Sequence, residues 1–234
     1  FDSVAFPYIE RTVKFLLWQV GGDRVTIDGL PEVVWPLQSV YSKGGARSFD
    51  SVTVGQKMFG RSLVVEKHDG APSEAVVFGR TNVGRHLEGC RVGFDLGASD
   101  RKVAAVVDGV TVYAEEVVWN PIGNTDPAYH REEVMTAIKT AAAKMPRIDA
   151  IGGSTAGVVI DKRVMVSSLY RSVSAHDYNR ARDVFINISK EFGVPFEVAN
   201  DGDVTALAGS MSIGAGRLLG IAMGSSEAAG YVDA

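Results

Sequence analysis

Hydrophobic and polar positions alternate most clearly in the middle of the chain, where they predict three consecutive strands. Residues 92–96 are an apolar run that ends at a glycine, and residues 102–108 are rich in β-branched and small apolar side chains. Asp108 and Gly109 form a two-residue hairpin signal, after which residues 111–119 return with apolar side chains mostly on alternate positions. We therefore predict three strands that are antiparallel neighbours.

The later segments alternate between helical and strand patterns. Apolar residues at helical spacing predict two helices, at residues 127–145 and 178–192. Short apolar runs bounded by glycines and turn residues predict strands at residues 148–154, 194–198 and 218–223. This alternation is typical of a partly parallel sheet with right-handed crossovers and with active groups at the carboxyl ends of its strands. We predict an α/β fold with a mixed sheet and the element order βββαβαβα.

The first part of the chain, residues 1–70, predicts a small α/β accessory module of unknown role. Residues 14–20 and 23–28 flank Gly21 and Gly22, and this arrangement predicts a β-hairpin. The further elements expected in this module are a helix and a strand, at residues 31–41 and 61–67. Residues 71–88, with several glycines and a proline, predict a linker, and the main domain is expected to span residues 89–234.

Composition narrows the range of functions. The chain has 234 residues, of which 46% are hydrophobic, so it can bury a substantial core in one or two domains. A net charge of −4 without a long basic run argues against nucleic acid as the main partner. Cys90 is the single cysteine, which excludes an internal disulfide and fits a reducing compartment. No apolar run approaches the ~20 residues that span a bilayer, so we expect no membrane contact and a cytoplasmic protein.

The turn after the first of the three predicted strands is unusually polar. Asp95, Gly97, Ser99, Asp100 and Lys102 all fall within eight residues. Glycine lets backbone N–H groups approach an anion, a hydroxyl and a lysine donate hydrogen bonds to it, and a carboxylate holds Mg²⁺ through water. This turn therefore indicates a phosphate and metal site. A polar hairpin turn with a solvated lysine explains the same residues equally well when the turn is considered alone.

Polar clusters also follow three of the later strands. They come after Ile151, after Val198, where Asn200 and Asp201 stand, and after Met223. Because the carboxyl ends of parallel strands meet at one edge of a sheet, four such clusters point to a shared site. An Asn-Asp pair is also common in ordinary turns, where it hydrogen-bonds its own backbone.

Four segments resemble the ROK family of bacterial glucokinases and sugar-responsive repressors, in the sugar-kinase branch of the actin/Hsp70/hexokinase superfamily. DLGASDRKVAAVVDG is similar to the family's first phosphate motif, and GGSTAGVVIDKRVMVSSL to its sugar-contact segment. GVPFEVANDGDVTALAG is similar to the signature that contains Glu-Asn-Asp, and LGIAMGSSEAAG stands where the second phosphate motif falls. The resemblance covers residues 91–234. It implies the first lobe of an actin-like ATPase (ribonuclease H-like) fold and the start of the second lobe.

The resemblance also implies roles for individual residues. Asp201 matches the catalytic base that takes the proton of the sugar hydroxyl, and Asp95 matches the carboxylate that organises Mg²⁺. Residues matched to sugar binding are Asn200, Ser168 and Gly152. Residues matched to the phosphates of the nucleotide are Gly97, Ser99, Lys102, Gly224 and Ser225. The implied ligands are ATP, Mg²⁺ and a hexose or N-acyl hexosamine, and a homodimer is compatible with the resemblance.

The chain also departs from the family pattern. The second phosphate loop contains Glu227, a carboxylate near a polyanion, and Ser168 stands where the family has asparagine. Asp203 replaces another family asparagine. The chain starts without methionine and lacks the family's later motifs, so we expect a fragment that is not an active kinase by itself. The leading hypothesis is a ROK-type sugar kinase; the alternatives are a catalytically degenerate sugar-binding or regulatory protein, and a structural or interaction protein.

Overall fold

The structure is a computed structural model, and it describes residues 5–69, 84–224 and 227–233. Contacts between Cα atoms divide the chain into two units, Phe1–Arg80 and Thr81–Ala234. Most of the segment predicted to be a linker, together with Ser225 of the second phosphate loop, lies outside the described residues. Within the described parts of the chain, no helix is both long enough and apolar enough to cross a bilayer.

The first unit combines helices with one pair of strands. Helix α1 (Ala5–Gln19) precedes strand β1 (Arg24–Ile27), and helix α2 (Val34–Tyr41) follows a 3₁₀ turn at Pro31–Val33. Helix α3 starts at Ser48–Asp50 and continues as a π-helix over Ser51–Met58, before strand β2 (Val64–Lys67). Strands β1 and β2 pair in parallel. The unit is therefore α/β, as its sequence predicts, and the helical segment at residues 48–58 was not predicted.

The predicted hairpin in this unit is wrong. Residues 14–19 belong to α1, where Val13 and Leu17, four positions apart, are the buried side chains. Gly21 and Gly22, with φ values of +81° and +126°, end the helix instead of joining two strands. A seven-residue apolar run fits both a buried strand and a helix face, and the preceding residues extend this one into a 15-residue helix.

The second unit is built on a five-stranded mixed sheet formed by β3 (Cys90–Leu96), β4 (Asp100–Val107), β5 (Val110–Val118), β6 (Ala150–Thr155) and β9 (Phe196–Asn200). The order of these strands across the sheet is β5-β4-β3-β6-β9. Strand β4 is antiparallel to both β3 and β5, whereas β6 is parallel to β3 and to β9. The structure thus confirms the predicted α/β class, the antiparallel first three strands and the later strands parallel to the first.

One face of this sheet is buried under helices α4 (Pro127–Ala142), α5 (Tyr178–Arg182) and α6 (Val184–Phe192). Asp126 caps α4 by accepting a hydrogen bond of 2.9 Å from the Ala128 amide, as predicted for a helix that begins at Pro127. The helix predicted over residues 178–192 is broken at Asp183, so its continuity was wrong. A hairpin of β7 (Val158–Ile160) and β8 (Arg163–Val166) lies between β6 and α5.

The remaining elements are helix α7 (Asp201–Ile213) and the antiparallel strands β10 (Leu218–Met223) and β11 (Glu227–Val232). Helix α7 packs very closely on this hairpin, because glycines on each of the two elements lie against the backbone of the other element. A Cβ atom on Gly202 would lie 2.6 Å from the amide nitrogen of Ala229, and Gly220 and Gly230 are equally tight against Ala206 and Asp203. The first turn of α7 is therefore held against the end of the hairpin.

Candidate functional site

The first polar turn lies between β3 and β4, and its side chains mostly bind each other. Ser99 Oγ donates to Asp100 Oδ2 over 2.8 Å, and Lys102 Nζ donates to Asp100 Oδ1 over 2.5 Å. The Gly97 carbonyl accepts from the indole N–H of Trp119 at 2.8 Å, and the Ser99 carbonyl accepts from the Trp119 amide at 3.1 Å. Trp119 therefore fixes the backbone of this turn from the end of β5.

Asp95 precedes this turn and lies on the sheet face that α4 and α6 leave open. Its carboxylate accepts a hydrogen bond from Ser154 Oγ on the neighbouring strand β6. Asp95 is also the register partner of Lys102 on β4. The Asp95 side chain is half-buried. It is therefore oriented by a serine on one side and lies beside an ammonium group on the other.

Asn200 and Asp201 stand where β9 ends and α7 begins. Asn200 Oδ1 accepts from the Gly202 amide at 2.8 Å and so caps α7, while its Nδ2 donates to the Gly157 carbonyl at 2.8 Å. Both functions of the Asn200 side chain are thus used within the protein. Asp201 is the first residue of α7 and directly follows the capping residue Asn200.

The strand register brings Asp95 and Asp201 to the same edge of the sheet. Asp95 pairs with Ser154 of β6, Ser154 pairs with Ala199 of β9, and Asp201 follows two residues later. Because neighbouring strands are about 4.8 Å apart, β3 and β9 are separated by about 10 Å at this edge. Residues in register across parallel strands share a face, so Ala199 lies on the face that carries Asp95, and Asp201 follows at the carboxyl end of β9. This edge is the candidate site.

The segment matched to the second phosphate motif lies against the first turn of α7, next to the candidate site. Gly202 contacts Ala228 and Ala229, which directly follow the turn between β10 and β11. Gly224 stands at the start of that turn, after Met223. The first turn of α7 therefore lies between the end of β9 and the second loop, although Ser225 lies outside the described residues.

The two other residues matched to sugar binding lie on β6 and after β8. Gly152 is on β6 in register with Gly93, and a Cβ atom at either glycine would meet nothing within 4 Å. Ser168 begins a 3₁₀ turn, Ser168–Tyr170, and its side chain is exposed. Ser167 caps this turn by accepting a hydrogen bond of 3.1 Å from the Leu169 amide. Open space above Gly152 and Gly93 leaves room for a ligand on this face of the sheet.

The surroundings of Asp100, Lys102 and Asp203 shift the pKa values of these three side chains. The hydrogen bond from Lys102, and then that from Ser99, holds the pKa of Asp100 below its usual value, while the pKa of Lys102 is raised chiefly by Asp100. Loss of hydration, and then the neighbouring carboxylate of Asp201, raises the pKa of Asp203, although part of its side chain stays exposed. In the first turn of α7, the carboxylate of Asp201 therefore disfavours the ionisation of Asp203.

Magnesium fits this edge in one specific manner. Among the described residues, no group of three or more histidine, cysteine, aspartate or glutamate side chains is arranged to hold a metal ion. Mg²⁺ usually keeps several waters and is bound by one or two carboxylates together with substrate phosphates. A single oriented carboxylate at Asp95 meets that requirement only if a phosphate ligand supplies further oxygens.

Two residues that shape the candidate site, Ser154 and Trp119, were not predicted from the sequence. Ser154 is 59 positions from Asp95, and only the strand register brings the two together. The indole of Trp119 bonds a carbonyl 22 positions away, at Gly97. The only sequence signal was that both residues end predicted strands, which does not identify a hydrogen-bond partner.

No protein-family model and no curated protein matches this sequence. Solved structures do match. The inorganic polyphosphate/ATP-glucomannokinase from Arthrobacter sp. strain KM is 20% identical, with 61% of this chain and 57% of that chain covered and a TM-score of 0.49. A ROK family transcriptional regulator, a homolog of the E. coli MLC protein, is 21% identical, with 63% and 37% covered and a TM-score of 0.49.

The ROK hexokinase from Thermus thermophilus is 21% identical, with 62% of this chain and 46% of that chain covered and a TM-score of 0.43. This chain thus spans between 37% and 57% of the length of these three proteins. The solved structures similar to this chain include ROK family sugar kinases and hexokinases of the actin-like ATPase fold, and the likeness covers about 61% of the chain.

Proposed function

We propose that this chain is part of an ATP- and Mg²⁺-dependent sugar kinase that phosphorylates a hexose or an N-acyl hexosamine. It would carry the half of the active site that holds the sugar and the metal ion. The observation that supports it is the placement of Asp95 and Asp201 at one edge of the sheet, at the ends of β3 and β9. Phosphoryl transfer needs mostly positioning and charge stabilisation, together with one carboxylate beside the acceptor hydroxyl.

In this proposal Asp201 accepts the proton of the sugar hydroxyl as that oxygen attacks the γ-phosphorus of ATP. The bond from the γ-phosphorus to the bridging oxygen breaks, and ADP leaves. Asn200 cannot rotate freely towards the sugar, because both functions of its side chain are already bonded. Its contribution is therefore to fix the start of α7 and with it the direction of Asp201.

Asp95 would hold Mg²⁺ in company with the phosphates, and the ion would supply charge neutralisation for the transferred group. Ser154 keeps the Asp95 carboxylate in place from β6. Gly97 and Ser99 present the backbone of the first phosphate turn, which Trp119 braces. Gly152 leaves open space on the same face of the sheet, where a bulky ligand has room.

The test measures ATP consumption by the full-length protein against a panel of hexoses and N-acyl hexosamines. Asp201→Asn keeps the size of the side chain but removes its proton-accepting power, so turnover should fall about 10²–10⁴-fold while sugar affinity changes far less. Asp95→Asn should instead raise the KM for Mg-ATP. Asp28→Asn, at an exposed position after β1, is the matched control and should behave like the wild type.

Two outcomes would contradict the proposal in different ways. Wild-type protein that binds a sugar but consumes no ATP would replace the kinase by a sugar-binding or regulatory protein. Undiminished turnover in Asp201→Asn would keep the kinase and remove Asp201 as its base.

A further inference from the structure

His130 of α4 is buried among backbone carbonyl groups. Its side chain is 1% exposed. Its Nε2 lies 3.0 Å from the Pro121 carbonyl oxygen and 3.1 Å from the Leu169 carbonyl oxygen. Its Nδ1 lies 3.4 Å from the Asp126 carbonyl oxygen, which is a longer contact. Since carbonyl oxygens only accept hydrogen bonds, the two shorter contacts favour the proton on Nε2, which donates to both. One imidazole N–H thus satisfies two buried acceptors from two different loops.

Aromatic rings enclose the imidazole. The ring centroid of His130 lies 4.6 Å from that of Tyr170, 5.7 Å from that of Tyr129 and 6.2 Å from that of Trp119, all in edge-on arrangements. An apolar side chain would fill this space as well as histidine does. It would leave the Leu169 carbonyl without a side-chain donor and the Pro121 carbonyl with only the Asn124 amide, 3.4 Å away, and a buried acceptor that loses its donor is costly. The need for a donor therefore explains why the position holds a histidine.

The two carbonyl groups belong to two chain segments, and each segment contains a residue already described for the candidate site. Pro121 follows Trp119, which holds the first phosphate turn through the Gly97 and Ser99 carbonyls. Leu169 lies in the 3₁₀ turn that begins with Ser168. His130 is therefore the shared donor between the segment that braces the phosphate turn and the segment matched to sugar contact.

We infer that His130 is a positioning residue that holds the Ser168–Tyr170 turn at a fixed place relative to the first phosphate turn. Its burial keeps it away from any substrate, so it acts through Leu169 and Pro121 rather than on the reacting atoms. This inference rests on the proposed function for its effect on sugar binding, but the hydrogen bonds themselves can be tested separately.

Hydrogen exchange of backbone amides tests the structural half of the inference. His130→Leu removes the donor, whereas His130→Gln retains an N–H that can reach a carbonyl. We expect exchange at residues 169–171 to become about five- to tenfold faster in His130→Leu, the loss expected for one net hydrogen bond, and to be largely restored in His130→Gln. Ile138→Ala, at a fully buried position on the same helix, is the control and should leave residues 169–171 unchanged relative to the rest of the unit.

Steady-state kinetics tests the functional half. His130→Leu should raise the KM for sugar about five- to tenfold while the KM for ATP changes less than about twofold, because only the sugar segment loses its anchor. His130→Gln should recover most of the affinity. Equal changes in both constants, or equal exchange effects from His130→Leu and Ile138→Ala, would reduce His130 to a core residue and overturn the inference.

A measurement on the unmodified protein covers the case in which the leucine variant does not fold. The Nε2 proton of His130 should exchange slowly enough to be observed by NMR and should show cross-relaxation with Leu169 and Pro121. A rapidly exchanging Nε2 proton, or a proton carried by Nδ1 alone, would overturn the inference. Wild-type protein without sugar turnover would refute the proposed function instead, and the exchange and NMR results would still decide for or against His130.

Discussion

At the scale of single residues, two adjacent glycines of β6 have opposite surroundings. A Cβ atom on Gly153 would overlap the ring of Phe94, which stacks on Phe185 at a centroid distance of 5.9 Å. A Cβ atom on Gly152 would meet nothing within 4 Å, because it points to the open face of the sheet. The pattern of two consecutive glycines therefore combines a packing requirement with an open ligand face.

We predict that Gly153→Ala lowers the free energy of unfolding by about 1–3 kcal/mol, the usual cost of overpacking a core. Gly152→Ala is the control and should change it by less than about 1 kcal/mol, since a strand glycine has no packing to lose. Chemical denaturation of both variants measures the difference. Equal destabilisation by the two substitutions would contradict the distinct surroundings of these glycines.

The Asp100–Lys102 pair should make stability depend on pH. Its hydrogen bonds lower the folded-state pKa of Asp100 from the usual 3.8, so the folded state binds fewer protons than the unfolded state in this range. The contribution of the pair is therefore present above pH 3.8 and lost as the pH falls through the lowered pKa. Both side chains are partly exposed, so we expect about 0.2–1 kcal/mol.

Lys102→Met, compared with the wild type by urea denaturation from neutral to acidic pH, measures that contribution. The difference in the free energy of unfolding should shrink as Asp100 becomes protonated. Lys190→Met, at an exposed position on α6, supplies the control for loss of a lysine. A difference that stays constant across the acidic range would show that the lysine stabilises by packing rather than by charge.

At the scale of elements, local signals predicted some segments and failed for others. The hairpin of β4 and β5 was predictable because alternation and the Asp108–Gly109 turn agree, and Asp108 has the positive φ of +47° that such a turn requires. Helix α1 was not, because its apolar run of residues 14–20 fits a strand as well. The break at Asp183 was also missed, since apolar spacing continues across it.

The features of the candidate site also include some that local sequence predicts and others that it does not. The positions of Asp95 and Asp201 at the carboxyl ends of β3 and β9 were predictable, because each residue lies within a local motif at the end of a strand. The hydrogen bond from Ser154 to Asp95 was not, because it depends on the register between strands far apart in sequence. Nor was the close contact of Gly202 with Ala229, which brings the second loop towards the start of α7. Long-range pairing decides these contacts, and a single sequence carries no direct signal of it.

At the scale of the whole molecule, each unit contains its own buried side chains. The core of the second unit is formed by residues between Val92 and Val198, on the five-stranded sheet and its helices. We therefore predict that residues 84–234 produced alone keep this sheet and unfold cooperatively. Circular dichroism during thermal denaturation measures it, with the full chain as control. A segment without a cooperative transition would show that this core depends on the first unit.

The proposed function requires that the edge formed by the ends of β3, β6 and β9 binds a metal–nucleotide complex next to Asp201. NMR with Mn-ATP as a paramagnetic probe tests this binding, because Mn²⁺ broadens the amide signals of nearby residues. We expect saturable broadening at Gly97, Ser99 and Gly202, no broadening at Cys90 or Ala150 at the opposite ends of β3 and β6, and loss of the broadening in Asp95→Asn. Broadening that spares Gly202, or that persists in Asp95→Asn, would contradict a shared phosphoryl-transfer site.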